Sequence, residues 1–185
     1  METFVGAACS ALQKGETLLY PTDTIWGIGC DATNPEAVEK IYKLKQRADN
    51  KALICLVADL AMLEQLTGPL DEKIKGIALN KKPTTVIYPK VNGLASNLTA
   101  ANGSAGIRIV QDAFCKQLIQ GFGKPIVSTS ANVSGNNSPK EYNEIDQPIL
   151  DGVDYIVALR TNEIRTNPST LISIEADGAL KTLRA

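Results

Sequence analysis

What most constrains this chain is the spacing of its apolar residues: helical periodicity and short, strand-length runs alternate from one end to the other. Residues 3–13 carry Val5, Ala8, Cys9 and Leu12 at helical spacing, and Gly15 closes them. Thr17 to Tyr20 reads as a strand ending at Pro21. Asn34 is a good helix cap and Pro35 a good first helical residue, and Val38, Ile41 and Leu44 then share one face. Ala52 to Val57 is a continuous apolar run, the pattern of a buried strand. Asp59 caps a short helix through about Leu66, and another covers about 71–80. Further strands are expected at 84–88, 106–110 and 125–128, a helix at 112–121, and tail strands near 153–159, 169–174 and 179–183. Residues 91–104 are small and polar and read as a long surface loop, of the kind that is functional or mobile. With no repeat and no linker, the expectation is one layered domain over 1–185, a mixed sheet with helices packed on it.

Composition narrows the chemistry. The 185 residues are 44% hydrophobic and 21% charged, which excludes disorder and a disulfide-stapled mini-protein. Nineteen basic against twenty acidic residues exclude a globally basic nucleic-acid binder, though not a local basic patch. There is no histidine, so Ser-His-Asp triads, histidine general bases and histidine-ligated zinc are excluded. Cys9, Cys30, Cys55 and Cys115 form no CxxC pair and sit in apolar stretches, as buried free thiols do. No convincing signal peptide and no run of membrane-span length are present, so a cytoplasmic protein is expected.

Three segments can carry chemistry. In Pro21-Thr-Asp-Thr-Ile-Trp-Gly-Ile-Gly-Cys-Asp31, a strand releases hydroxyls, a carboxylate and two glycines that allow a turn or a close ligand approach. Taken alone, the segment is first read as an ordinary turn with an Asx-type cap. Lys43, Lys45, Arg47 and Lys51 fall within nine residues against one acid at a helix C-terminus. Cations there complement the helix dipole, but this many suggest an anion site, phosphate first. After the strand at 125–128, four hydroxyls and Asn132 fall within seven residues, Ser128 to Ser134. Such a loop is either flexible or a backbone cradle for phosphate or carboxylate oxygens. It is no Walker loop, since GxxxxGK[ST] does not occur. The set suits binding and positioning of a nucleotide and does not suit a covalent nucleophile.

At these residues the chain resembles the YrdC/TsaC family, the threonylcarbamoyl-AMP synthases of tRNA modification. PTDTIWGIGCDA is similar to the family's PTET-type segment, KLKQRADNK to its KxR segment and KPTTVIYP to its proline-rich strand. SAGIRIV resembles its arginine-bearing strand and KPIVSTSANVSG its SxN segment, all in the family's order. Ser169-Thr-Leu-Ile and Leu183-Arg184 look like its ST and LR elements, and the additional C-terminal domain of longer members is not expected. The resemblance implies a YrdC-like, three-layer α/β fold of α+β type with a mixed twisted sheet and a concave basic face. It implies a nucleotidyltransferase that makes threonylcarbamoyl-AMP and pyrophosphate from L-threonine, bicarbonate and ATP, with Mg2+ on the phosphates. The product would pass to the tRNA threonylcarbamoyl transferase complex and serve adenosine 37 of tRNA.

Carried over by residue, Thr24, Arg108 and Ser169 would hold threonine. Arg47, Lys51, Ser104, Ser130, Asn132 and Arg184 would hold ATP, and Lys45 and Arg47 would be the catalytic cations beside its phosphates. No protein-held metal is implied. The chain departs from the family at Lys81-Lys82-Pro83, where Pro-Gly-Pro is usual, and at Val110, where a proline is common. A module binding double-stranded RNA or tRNA without synthase activity is the alternative, although aromatics at 5% leave few stacking platforms.

Overall fold

The computed structural model describes residues 1–46, 53–175 and 177–185. In chain order the elements are α1 (Glu2–Gln13), β1 (Leu18–Pro21), β2 (Trp26–Gly29), α2 (Pro35–Leu44), β3 (Ile54–Val57), α3 (Leu60–Thr67), α4 (Glu72–Ala78) and β4 (Thr84–Tyr88). They continue with β5 (Ala105–Ile109), α5 (Ala113–Phe122), β6 (Ile126–Ser130), a 3-10 turn (Tyr142–Glu144), α6 (Gln147–Gly152), β7 (Tyr155–Ile156), β8 (Thr170–Ile174) and β9 (Leu180–Arg184). The strands form one nine-stranded sheet in the order β7-β1-β2-β6-β3-β5-β4-β8-β9. Pairs β1–β7, β3–β5 and β4–β8 are parallel and the others antiparallel, so the sheet is mixed, as expected.

Short side chains start the helices. Asn34 accepts the Glu36 and Ala37 amides with Pro35 as first helical residue, and Asp59, Asp71 and Asp112 accept the amides of Met62, Ile74 and Cys115. Each such cap satisfies an orphan donor and contributes about 1 kcal/mol. Gly123, left-handed at φ 77°, ends α5.

Strand alternation splits the core into two layers. Leu19, Trp26, Ile28, Cys55, Val57, Val86, Ile107 and Val127 point to the side covered by α2, α3, α4 and α6. Leu18, Tyr20, Leu56 and Ile126 point to the other side, where they meet Ala8, Leu12, Phe114 and Leu118 of α1 and α5. Helices therefore cover both faces, and the three-layer expectation holds.

Three local readings change. Trp26–Gly29 is a strand, β2, paired with β1 and β6, not part of a loop. Its glycines hid it, and the close approach they permit is to protein: a Cβ at Gly29 would overlap the Val127 carbonyl oxygen and lie 2.7 Å from Tyr20 Cε1. Residues 91–104 are a loop but a packed one. Val91, Ala95 and Leu98 are buried, the Ala95 amide donates to Ala32 O, and Tyr42 donates to Asn97 O. The strand expected near 153–159 is reduced to Tyr155–Ile156.

Asp112 has a second task, a two-point ion pair with Arg160 at 2.6 and 3.0 Å. Burial works to raise its pKa, but the Arg160 hydrogen bonds and charge and the Cys115 amide hold it below the ordinary carboxylate value. A depressed carboxylate stabilises the fold fully above its unfolded pKa of about 3.9 and loses that contribution as pH falls through the folded value. Asp112→Asn should therefore cost about 1–3 kcal/mol at neutral pH, and the deficit should close in acid. Thermal melts of both proteins at pH 7 and pH 3 check this, and a deficit unchanged at pH 3 refutes it.

Candidate active site

The face that carries α1 and α5 changes character partway across the sheet. Beyond Leu18, Tyr20, Leu56 and Ile126, the positions of the same orientation include Gly27, Ile54, Thr85, Ile87, Gly106, Arg108, Ser128, Ser130 and Leu171. Glycines, hydroxyls and the Arg108 guanidinium break up the apolar surface that would seat a helix, and an open cleft results. Its cavity measures about 350 Å³, within the range of small-molecule sites. Thr24, Arg108, Ser130, Ser169 and Arg184 all line it, which brings together five of the residues expected to bind ligand.

Thr24 stands in the turn between β1 and β2. Thr22 Oγ1 shapes that turn by accepting the Thr24 and Ile25 amides at 3.0 and 3.2 Å and donating to Ile25 O at 2.7 Å. Arg108 rises from β5 and is only 1% exposed. Asp23 neutralises it by accepting from Nη1, and also accepts the Gln111 amide at 3.2 Å, so one carboxylate ties the turn to the end of β5. Arg108 Nε is buried without a hydrogen-bond partner among the described residues. A buried donor left unpaired in a residue that lines a cleft is a candidate for an acceptor from the ligand.

Ser130 ends β6 and lines the cleft, and Asn132 lies just behind it, 7% exposed. The Asn132 side-chain nitrogen donates to Val133 O at 2.9 Å and Asn136 O at 2.8 Å, which closes the loop on itself, while its Oδ1 is buried without a partner among the described residues. Lys45 differs from the expected placement beside phosphates. Its side chain is 1% exposed beneath the loop, and Nζ donates to Ser130 O and Asn132 O, both at 2.5 Å. The Ser134 amide also donates to Lys45 O at 2.9 Å. The cation at the end of α2 is thus used to fold the Ser/Asn loop over itself.

Ser169 and Arg184 meet at the far side of the cleft because β8 and β9 pair antiparallel there. Arg184 Nε donates to Ser169 O at 2.9 Å, and Nη2 lies 3.4 Å from Ser169 Oγ. Ser104 is not part of the cleft wall; its carbonyl accepts the Ala100 amide and its amide donates to Asn102 Oδ1. Arg47 and Lys51 lie outside the described residues. Ser128, Thr129, Ser138 and Leu171 were visible only as members of their segments, as was Asp23, the partner of Arg108, and Pro168 had no local signal.

None of the four cysteines supplies a nucleophile. All are free and buried, and burial raises the pKa of each thiol, so they stay protonated. Among the described residues no helix is long and apolar enough to cross a membrane.

Comparison with known proteins places this geometry. The Sua5/YciO/YrdC family model, described as telomere recombination, matches residues 10–185. A relative from Pseudoalteromonas translucida named threonylcarbamoyl-AMP synthase is 33% identical over 177 residues, 92% of each chain. The crystal structure of P. abyssi Sua5 complexed with L-threonine superposes with a TM-score of 0.85 at 24% identity, over all of this chain and 54% of that one. The chain thus spans about half the length of that Sua5. E. coli YciO superposes with a TM-score of 0.82 at 21% identity, over all of this chain and 89% of its own. These two likenesses show the fold, and with the match to nearly the whole sequence they establish that the chain belongs to the Sua5/YciO/YrdC family.

Proposed function

We propose that the chain is a threonylcarbamoyl-AMP synthase, a nucleotidyltransferase that joins L-threonine, bicarbonate and ATP with release of pyrophosphate. The observation that carries this reading is Arg108, a buried guanidinium that lines the cleft, with one end held by Asp23 and Nε without a partner among the described residues. The relative of that name, 33% identical over 92% of the chain, supports it.

Arg108 pairs with the threonine carboxylate, with Thr24 and Ser169 on either side. The threonine amine attacks the carbon of bicarbonate or carbon dioxide, giving a carbamate, and water leaves when bicarbonate is the donor. A carbamate oxygen then attacks the α-phosphorus of ATP, and the bond to pyrophosphate breaks. Nothing in this sequence needs a covalent bond to protein; positioning and charge neutralisation suffice. Ser130 and Arg184 on the cleft, Asn132 behind it, and Arg47 and Lys51 are assigned to ATP, with Ser104 as the outlying member of that set. Lys45 acts through the loop it folds. Magnesium would enter as the ion of ATP's own phosphates. Among the described residues the cleft wall carries no carboxylate and no group of three metal-binding side chains forms, so these residues do not fit as its holder and no step is derived through it.

The adenylate is an activated acyl donor, and we assign its consumption to a tRNA threonylcarbamoyl transferase complex in the cytoplasm. The deciding experiment is pyrophosphate release from ATP by the purified chain. Release should require threonine and bicarbonate together. Release indifferent to either one overturns the reading. Serine should be poorer by about 1–3 kcal/mol in kcat/KM for want of one methyl.

A further inference from the structure

Thr85, on β4, is fully buried, and among the described residues its hydroxyl has one hydrogen-bond partner, Ser169 Oγ at 2.8 Å. Either oxygen can donate at that distance, and burial decides between them. A hydroxyl has one proton to give. If Ser169 gave its proton to Thr85, the Thr85 O–H would be a buried donor with no acceptor. With Thr85 donating, that group is satisfied. The Ser169 oxygen then accepts from Thr85 and from Arg184 Nη2 at 3.4 Å, a group that can only donate. Both of its acceptor positions are taken, and what remains is the Ser169 proton, on a side chain that lines the cleft.

We propose that Thr85 is a positioning residue that commits the Ser169 hydroxyl to donating into the cleft, so that Ser169 and Arg184 form a corner of donors for an anionic oxygen of the substrate. Thr85 is held for this task by its strand. The amide of Thr170 donates to Pro83 O at 2.9 Å and Thr84 pairs with Thr170, which fixes the start of β8 beside Thr85. Gly106, on the neighbouring β5, leaves room for it, since a Cβ there would lie 3.3 Å from Thr85 Cγ2. The inference rests on the functional reading above for its ligands. A threonine carboxylate and an ATP phosphate offer the same oxygen chemistry, and separate titrations distinguish them.

The test is calorimetric titration of Thr85→Val, Thr85→Ser, Ser169→Ala and the Thr85→Val/Ser169→Ala pair with threonine and with ATP, alongside melting curves. Thr85→Val should weaken one of the two ligands about tenfold, the loss of one oriented hydrogen bond. Thr85→Ser should bind within about twofold of the parent, because it keeps the donor. In the Ser169→Ala background the Val substitution should have no further effect on affinity. If Thr85→Val does not fold, Thr85→Ala carries the same measurement. Parental affinity for both ligands in the Val or Ala variant, or an equal loss with and without Ser169, overturns the proposal. A drop in melting temperature alone marks Thr85 as a packing residue and also overturns it. A parent that binds both ligands yet releases no pyrophosphate refutes the synthase reading and leaves the titrations to decide this one. A parent that binds neither refutes both.

Discussion

Arg108→Lys should lower kcat/KM for threonine by about 100-fold, or about 3 kcal/mol. The substitution keeps the charge and a partner for Asp23, so a role in neutralising Asp23 alone would survive it. It removes the planar fork, including the Nε that has no partner among the described residues. The loss should appear as a raised KM for threonine, with ATP affinity near that of the parent. Steady-state kinetics with each substrate varied in turn measure it. A change under about threefold would place the carboxylate elsewhere in the cleft. Arg108→Ala is the less informative variant, because it also strands Asp23 without its cation.

Lys45→Met should destabilise the fold by about 3–5 kcal/mol, the cost of removing two buried, charge-assisted hydrogen bonds. For a chain of this size that is a fall in melting temperature of roughly 6–20 °C. ATP affinity should fall as well, since the loop bearing Ser130 and Asn132 loses what bends it. The pairing of the two effects is the point. A lysine that only met phosphates would be exposed, and its removal would spare the melting temperature. Melting curves with and without ATP separate the cases, and an unchanged melting temperature would return Lys45 to a direct phosphate role.

Much of the fold could be read along the chain because its signals are local. Asn34 and Asp59 cap helices where their spacing to the next apolar face says they should, and the buried strands announce themselves as apolar runs. β2 was hidden for a physical reason. Gly27 and Gly29 carry no side chain to register a period of two, and the space they leave is filled by Ser128 and Tyr20 from other strands. The packed state of residues 91–104 was hidden likewise, because Val91, Ala95 and Leu98 are too sparse to form a pattern and are buried by tertiary contact.

The sequence alone determined the alternation of helices and strands, the absence of histidine and metal-pair chemistry, and the identity of the hydroxyls, cations and asparagine offered to a ligand. Those follow from residue type and near-neighbour spacing. Only the tertiary structure decided which of them face one cavity. Thr24, Arg108, Ser130, Ser169 and Arg184 come from five separate places in the chain, and strand pairing, whose partners lie up to more than a hundred residues apart, sets them on one face of the sheet. It also turned Lys45 inward, made Asp23 the partner of Arg108 and set Thr85 behind Ser169. A side chain's role depends on what it touches, and those contacts are non-local: they exist only once the sheet has closed its register.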